Sequence, residues 1–295
     1  MAAAAPLLDR VFLEKLERLT IHWQKSFPGL VGGHNLSRFA GPGQEFLDHR
    51  TFHHGDDLRA VNWRAFLRLE KLFLKMFQVE PRVPVRFLLD ISASMGAHGG
   101  RKFEAARQLA GALCYVGLVR LDTMEIRAFS DRLTQRIFCT GGRHRFPLVM
   151  DSLGALEAGG RTDYEAVVRE FISIYGQRGL VVVISDFLDD EDCERALQYL
   201  ADFGHELMLI QMWADEDRIP PWDGELDLRD AETGERMRLD FDEPARERYT
   251  EDFDEYSDAL QRLAARNGGR YAGVSASQSL ESVIFGELIR AKGIS

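Results

Sequence analysis

Apolar positions recur along this chain at two periods, one helical and one of strand type. In LLDRVFLEKLERL, residues 7–19, Leu8, Val11, Phe12, Leu16 and Leu19 fall at helical spacing, which predicts an amphipathic helix near the start. Residues 27–43 are glycine-rich and broken by Pro28 and Pro42, which predicts loop or short-strand structure. Beyond them, HHGDD reads as a turn, LRAVNWRAF as a short helix and KLFLKMFQV as a strand. Pro81 and Pro84 close this region, so residues 1–82 read as a front module with its boundary at those prolines.

After Pro84 the two periods alternate. VRFLLDI, TMEIRAF, LTQRIF, GLVVVISDF, ELMLIQMW and RYAGVSA read as strands. Helices are predicted at RKFEAARQLAGALCYVGLV, RFPLVMDSLGAL, DYEAVVREFISIY, EDCERALQYLADF and SLESVIFGELIRA. Such alternation predicts parallel strands joined by crossover helices. GELDLRDAETGERMRLD holds two alternating runs around the turn AETGE, a hairpin signal at about 223–241. A further helix has Asp242 as N-cap, Pro244 in its first turn, and Tyr249, Phe253, Tyr256, Leu260 and Leu263 at steps of four and three, before Gly268 and Gly269 end it. The expected fold is therefore α/β, a doubly wound, mostly parallel sheet over residues 83–295, with an N-terminal extension and a β-hairpin insertion.

Composition changes this picture little: 45% apolar and 28% charged residues are ordinary for a folded soluble protein. Cys114, Cys139 and Cys193 stand far apart and in no CxxC pair, which argues against a disulfide framework or structural zinc and fits a reducing cytoplasm. The first residues lack the pattern of a signal peptide, and no run of about 18 apolar residues predicts a membrane span. Charge is more informative. The net charge is −10, yet residues 215–258 hold 18 acids and 6 bases, whereas residues 1–82 hold 12 bases and 9 acids. The acidic stretch disfavours nucleic acid as its partner and reads as a solvated face or a docking surface for a basic protein.

The candidate chemistry lies at strand ends. In an open parallel sheet, loops at the carboxyl ends of the strands form the ligand crevice. VRFLLD ends at Asp90 and LVVVISD at Asp186, which places both carboxylates at one edge if the strands are neighbours. Ser92 and Ser94 add two hydroxyls, and the loop GGRTD adds Thr162. Five oxygen donors without histidine or thiolate suit magnesium, manganese or calcium. Other chemistries fit less well. A phosphotransferase with Asp90 as nucleophile calls for a second aspartate where Ser92 stands. Ser94 and His98 lack a GxSxG elbow, and His98 reads as a surface histidine in a glycine-rich loop. His49, His53 and His54 have no zinc-site spacing, and Asp56 and Asp57 beside them read as helix caps. GGRHR, residues 141–145, lacks the phosphate-loop pattern.

DISAS, then Thr162 in GGRTD, then Asp186 in VVVISDF resembles the metal-ion-dependent adhesion site of von Willebrand factor A domains. The resemblance implies that Ser92 and Ser94 bind the ion directly, Thr162 directly or through water, and Asp90 and Asp186 largely through water. It also implies that the open coordination position takes an acidic side chain of a protein partner. GPGQEFLDHRTFHHGDDLRAVNW, followed by FQVE and the DxSxS strand, resembles the domain-of-unknown-function family fifty-eight. Its members are commonly encoded beside MoxR-type AAA+ ATPases, which implies a cytoplasmic adaptor of such an ATPase. The expected function is a non-enzymatic, divalent-metal-dependent protein-binding module. The alternative is a metal-dependent phosphoester hydrolase using the same crevice.

Overall fold

The structure, a computed structural model, describes residues 10–21, 46–53, 61–77, 83–120, 123–188 and 193–294. The chain divides into two compact units, Phe27–Arg82 and the larger Met1–Ser26 with Val83–Ser295.

In the smaller unit, β1 (Phe46–Thr51) pairs antiparallel with β2 (Phe73–Phe77), and α2 (Trp63–Leu69) lies between them in sequence. The strand β1 falls on residues to which the apolar pattern assigns no element, because its pairing partner lies more than twenty residues further on and leaves no local signal. Helix α2 begins later than LRAVNWRAF suggested: the Asn62 side chain accepts the Ala65 N–H at 3.3 Å and caps it. His54, Asp56 and Asp57, and with them the proposed capping by those aspartates, lie outside the described residues.

The larger unit includes the start of the chain. In α1 (Arg10–Leu16), Leu16 is fully buried in the main core. The Tyr115 hydroxyl donates to Glu17 at 2.9 Å, Arg120 donates to the Leu19 carbonyl at 2.9 Å, and Ile21 forms an antiparallel bridge with Ile294. Residues 1–82 are therefore not one module. The first helix groups with Val83–Ser295 and packs with the sheet domain, because its apolar face finds partners there.

That domain is built on a six-stranded sheet in the order β10-β7-β6-β3-β4-β5. Its strands are β3 (Val85–Asp90), β4 (Met124–Phe129), β5 (Leu133–Cys139), β6 (Leu180–Ser185), β7 (Glu206–Trp213) and β10 (Arg270–Ser275). All neighbours are parallel except β4 and β5. Only residues 130–132 join that pair, too short a link for a crossover, so it turns back as a hairpin at the sheet edge.

Helices cover both faces. Phe87, Leu89, Val182 and Ile184 point into one apolar layer with α3 (Arg101–Arg120) and α4 (Phe146–Gly154). The same layer takes Val283, Ile284 and Leu288 of the terminal segment, α9 (Leu280–Ser282) continuing as a π-helix (Val283–Leu288). Leu88, Val181 and Val183 point into the other layer, with α5 (Tyr164–Ile174), α6 (Cys193–Asp202) and α8 (Glu243–Arg266). Burial on both faces explains why VRFLLD and LVVVIS read as continuous apolar runs rather than alternating ones.

After β7 a short α7 (Asp215–Arg218) precedes the hairpin of β8 (Gly224–Arg229) and β9 (Arg236–Phe241), whose strands are mostly exposed. Asp242 then caps α8 by accepting the Ala245 N–H at 2.9 Å. The three cysteines are buried thiols. No helix among the described residues is long and apolar enough to cross a membrane.

Candidate functional site

Strand order reverses at β3. The chain runs from β3 outward through β4 to β5, then returns to β6 on the other flank of β3. The crevice of such a sheet opens at the carboxyl ends of those two strands. Leu89 pairs with Ile184, which brings Asp90, the last residue of β3, level with Ser185, the last of β6. The Ser185 hydroxyl donates to Asp90 Oδ2 at 2.6 Å, and the Ser92 N–H donates to Oδ1 at 2.8 Å. Because that gives away the one Ser185 hydroxyl proton, the Tyr164 hydroxyl, 2.6 Å from Ser185 Oγ, must be the donor there. The Phe187 N–H donates to the same oxygen at 2.9 Å.

The backbone leaving β6 is unusual. Phe187 is buried and takes φ 55°, a left-handed conformation that a bulky residue rarely adopts. Its carbonyl accepts the Tyr256 hydroxyl at 2.6 Å, so α8 helps to hold the turn that follows Asp186.

The hydroxyl donors stand on two loops that are joined by backbone hydrogen bonds. Ser92 Oγ and Ser94 Oγ lie 2.9 Å apart. Gly159 N–H donates to the Ile91 carbonyl at 2.7 Å, and Ala93 N–H donates to the Gly160 carbonyl at 2.9 Å. This pairing requires a sharp turn, and Gly160 makes it at φ 90°. Thr162 follows on that loop, nearly buried, just before Asp163 caps α5 by accepting the Ala166 N–H at 2.8 Å. Thr162 is itself occupied: its N–H donates to Glu232 Oε2 at 2.8 Å and its hydroxyl to Glu232 Oε1 at 2.9 Å.

Behind the crevice lies a charged network. Lys102, in the first turn of α3 and 1% exposed, places Nζ 2.8 Å from Asp186 Oδ2 and 2.9 Å from Asp217 Oδ2. Asp217 Oδ1 lies 3.0 Å from His98 Nε2, and the His98 ring stacks on Trp222. His98 is thus anchored rather than loose on the surface, and no loop reading could show that pairing. Burial alone would lower the Lys102 ammonium's pKa, but the Asp186 and Asp217 carboxylates outweigh it and hold the pKa above its ordinary value. Burial, with the Asp186 charge second, pushes the Asp90 carboxyl up to about 7 against the hydrogen bonds from Ser185 and Ser92. Burial, followed by the Asp90 charge, also drives the Tyr164 hydroxyl well up.

All five residues singled out in the sequence stand at this edge of the sheet: Asp90, Ser92 and Ser94 on one loop, Thr162 on the loop bonded to it, and Asp186 next to Ser185. Four neighbours escaped the reading. Ser185 stands inside VVVISDF, a hydroxyl at a strand end. Lys102, Asp217 and Glu232 come from three other elements, and nothing local to them points here. Among the described residues no three histidine, cysteine, aspartate or glutamate side chains gather as a metal cluster. The donor set is two carboxylates and three hydroxyls, hard oxygens that fit a hard divalent cation and not a soft or borderline one.

A family model described as "Protein of unknown function DUF58" matches residues 48–258. An uncharacterized protein of Mycobacterium tuberculosis is 26% identical over 240 residues, covering 79% of this chain and 74% of its own length. An uncharacterized protein of Mycobacterium bovis matches to the same extent. Among solved structures, the conserved hypothetical protein BatB from Bacteroides thetaiotaomicron is 19% identical with a TM-score of 0.43, over 71% of this chain and 98% of that one. An aerotolerance-related membrane protein from Bacteroides fragilis is 21% identical with a TM-score of 0.41, over 70% of this chain and 99% of that one.

Proposed function

The chain belongs to the DUF58 family of unknown function, and on that premise we propose that it is a divalent-cation-dependent protein-binding module of von Willebrand factor A type. The observation that supports this reading is that three hydroxyls and two carboxylates lie on strand ends and hydrogen-bonded loops at the switch point of the sheet. Ser92, Ser94 and Thr162 would hold the ion through their hydroxyl oxygens. Asp90 and Asp186 each have both carboxylate oxygens engaged, Asp90 by Ser185 and Ser92, Asp186 by Lys102 and the Leu188 N–H. They are thereby oriented to act through water.

Charge supports the same reading. Asp186 and Asp217 face one buried ammonium and the Asp90 carboxyl feels the Asp186 charge, so with all three carboxylates ionised the group carries two negative charges in excess, which a magnesium, manganese or calcium ion would balance. A cation held mainly by neutral hydroxyls keeps positive charge and supplies a position for an acidic side chain of a partner protein. The resemblance of the front segment and the DxSxS strand to this family extends the proposal to a MoxR-type AAA+ ATPase as that partner.

Titration calorimetry tests the site. Wild-type protein should take up Mg2+ or Mn2+, and Ser94→Ala should weaken uptake at least about tenfold, the scale on which metal-site side chains act. Its melting temperature in chelator should match wild type. Absence of uptake by the wild type would sink the proposal. Phosphatase turnover in Mg2+ that vanishes in Asp90→Asn would instead establish the hydrolase alternative.

A further inference from the structure

We propose that Glu232, at the tip of the β8–β9 hairpin, occupies from within the chain the place that an acidic side chain of a partner would take at this site. The hairpin is then a tethered competitor, and a partner must displace it with a carboxylate of its own. The inference rests on the metal reading above and goes beyond it by naming the occupant and the ligand class that can replace it.

Both oxygens of the Glu232 carboxylate are engaged by one residue, Thr162, through its N–H and its hydroxyl. Fixing a half-buried glutamate in one rotamer has an entropic cost, so a two-point grip needs a tip that presents it. The tip is built for that. Asp230 Oδ1 accepts the N–H groups of Glu232 at 2.8 Å and Thr233 at 2.6 Å, and the Asp230 N–H donates to the Glu235 carbonyl at 2.8 Å. The Thr233 N–H foremost, with Arg161 contributing, holds the Asp230 carboxyl below the usual carboxylate range. Arg161 precedes Thr162, so the two loops also face each other with opposite charges.

A purely structural role, a carboxylate capping the start of α5, is already filled by Asp163. The hairpin strands are mostly exposed and contribute little to the core, so their pairing is not maintained by burial. Thr162 can donate its hydroxyl proton to Glu232 and still offer lone pairs to a cation. Contact and cation are therefore compatible, and the glutamate lies where an incoming carboxylate would have to go.

Hydrogen exchange on the full chain, followed by mass spectrometry, tests this. Glu232→Ala leaves the Asp230 turn intact, since the residue 232 N–H remains. It should speed exchange of the hairpin amides and of the Thr162 segment about tenfold, as loss of charge-assisted hydrogen bonds implies, with β3 and β6 unchanged. Mg2+ should slow hairpin exchange in wild type but in neither Glu232→Ala nor Glu232→Gln, because the amide lacks the charge. Unchanged hairpin exchange in Glu232→Ala, with normal Mg2+ uptake by calorimetry, overturns the tethered-ligand proposal alone. No Mg2+ uptake by the wild type overturns the metal reading, and with it the role of Glu232 as a ligand.

Discussion

Lys102 is an ammonium held out of solvent between the carboxylates of Asp186 and Asp217. Charged side chains are buried only when paired, and removing one partner leaves the others uncompensated. Lys102→Met keeps the volume and removes the charge, so it should cost about 3–5 kcal/mol of unfolding free energy. Urea unfolding of wild type and variant, both in chelator, measures this, and matching midpoints would show that the network does not stabilise the fold. Residues differ in how far they announce such roles. Asp90, Ser92, Ser94, Thr162 and Asp186 are legible because each stands at a strand end or helix start, where alternation of elements already places the crevice. Lys102 is not, since a lysine in the first turn of an amphipathic helix ordinarily reads as solvated. Only the fold brings Asp186 and Asp217 to it.

At the level of elements, the site depends on β3 and β6 lying side by side, and the entry to that pair has no room to spare. Leu180 N–H donates to the Pro84 carbonyl at 3.1 Å, and a Cβ on Gly179 would sit 2.3 Å from that same oxygen. The clash is with backbone, so a side-chain rotation cannot relieve it. Gly179→Ala should destabilise the domain by about 1–3 kcal/mol through forced separation of the strand ends. A denaturation midpoint equal to wild type would refute that. Most elements of the sheet domain could be read from the chain because each carries its own period: the unbroken VVVIS of a strand buried on both faces, the Tyr249 to Leu263 stripe of α8, the alternation flanking AETGE. The elements that could not be read are those whose cause is remote. The strand β1 exists because β2 pairs with it. By contrast β5 is legible as a strand, and its antiparallel direction follows from the three-residue link before it, which cannot cross a sheet.

On the scale of the whole molecule, the larger unit is closed by both ends of the chain. Leu16, Leu19 and Ile21 are buried within the core that α3 and the sheet build, and Ile294 bridges to Ile21. A linear boundary at Pro81 and Pro84 cannot show that the first helix belongs with Val83–Ser295. An amphipathic helix states that it has an apolar face and not which core accepts it. The consequence is quantitative. If α1 were an independent front element, Leu16→Ala would leave the sheet domain untouched. As a fully buried member of the main core, Leu16 should instead cost about 2–5 kcal/mol on truncation to alanine, the range for a leucine whose cavity cannot collapse. The loss should appear in the same unfolding transition that reports the sheet. Near-ultraviolet circular dichroism and tryptophan fluorescence, both followed against urea, should shift together to a lower midpoint. A shift in neither, with the variant still helical, would place α1 outside the cooperative unit.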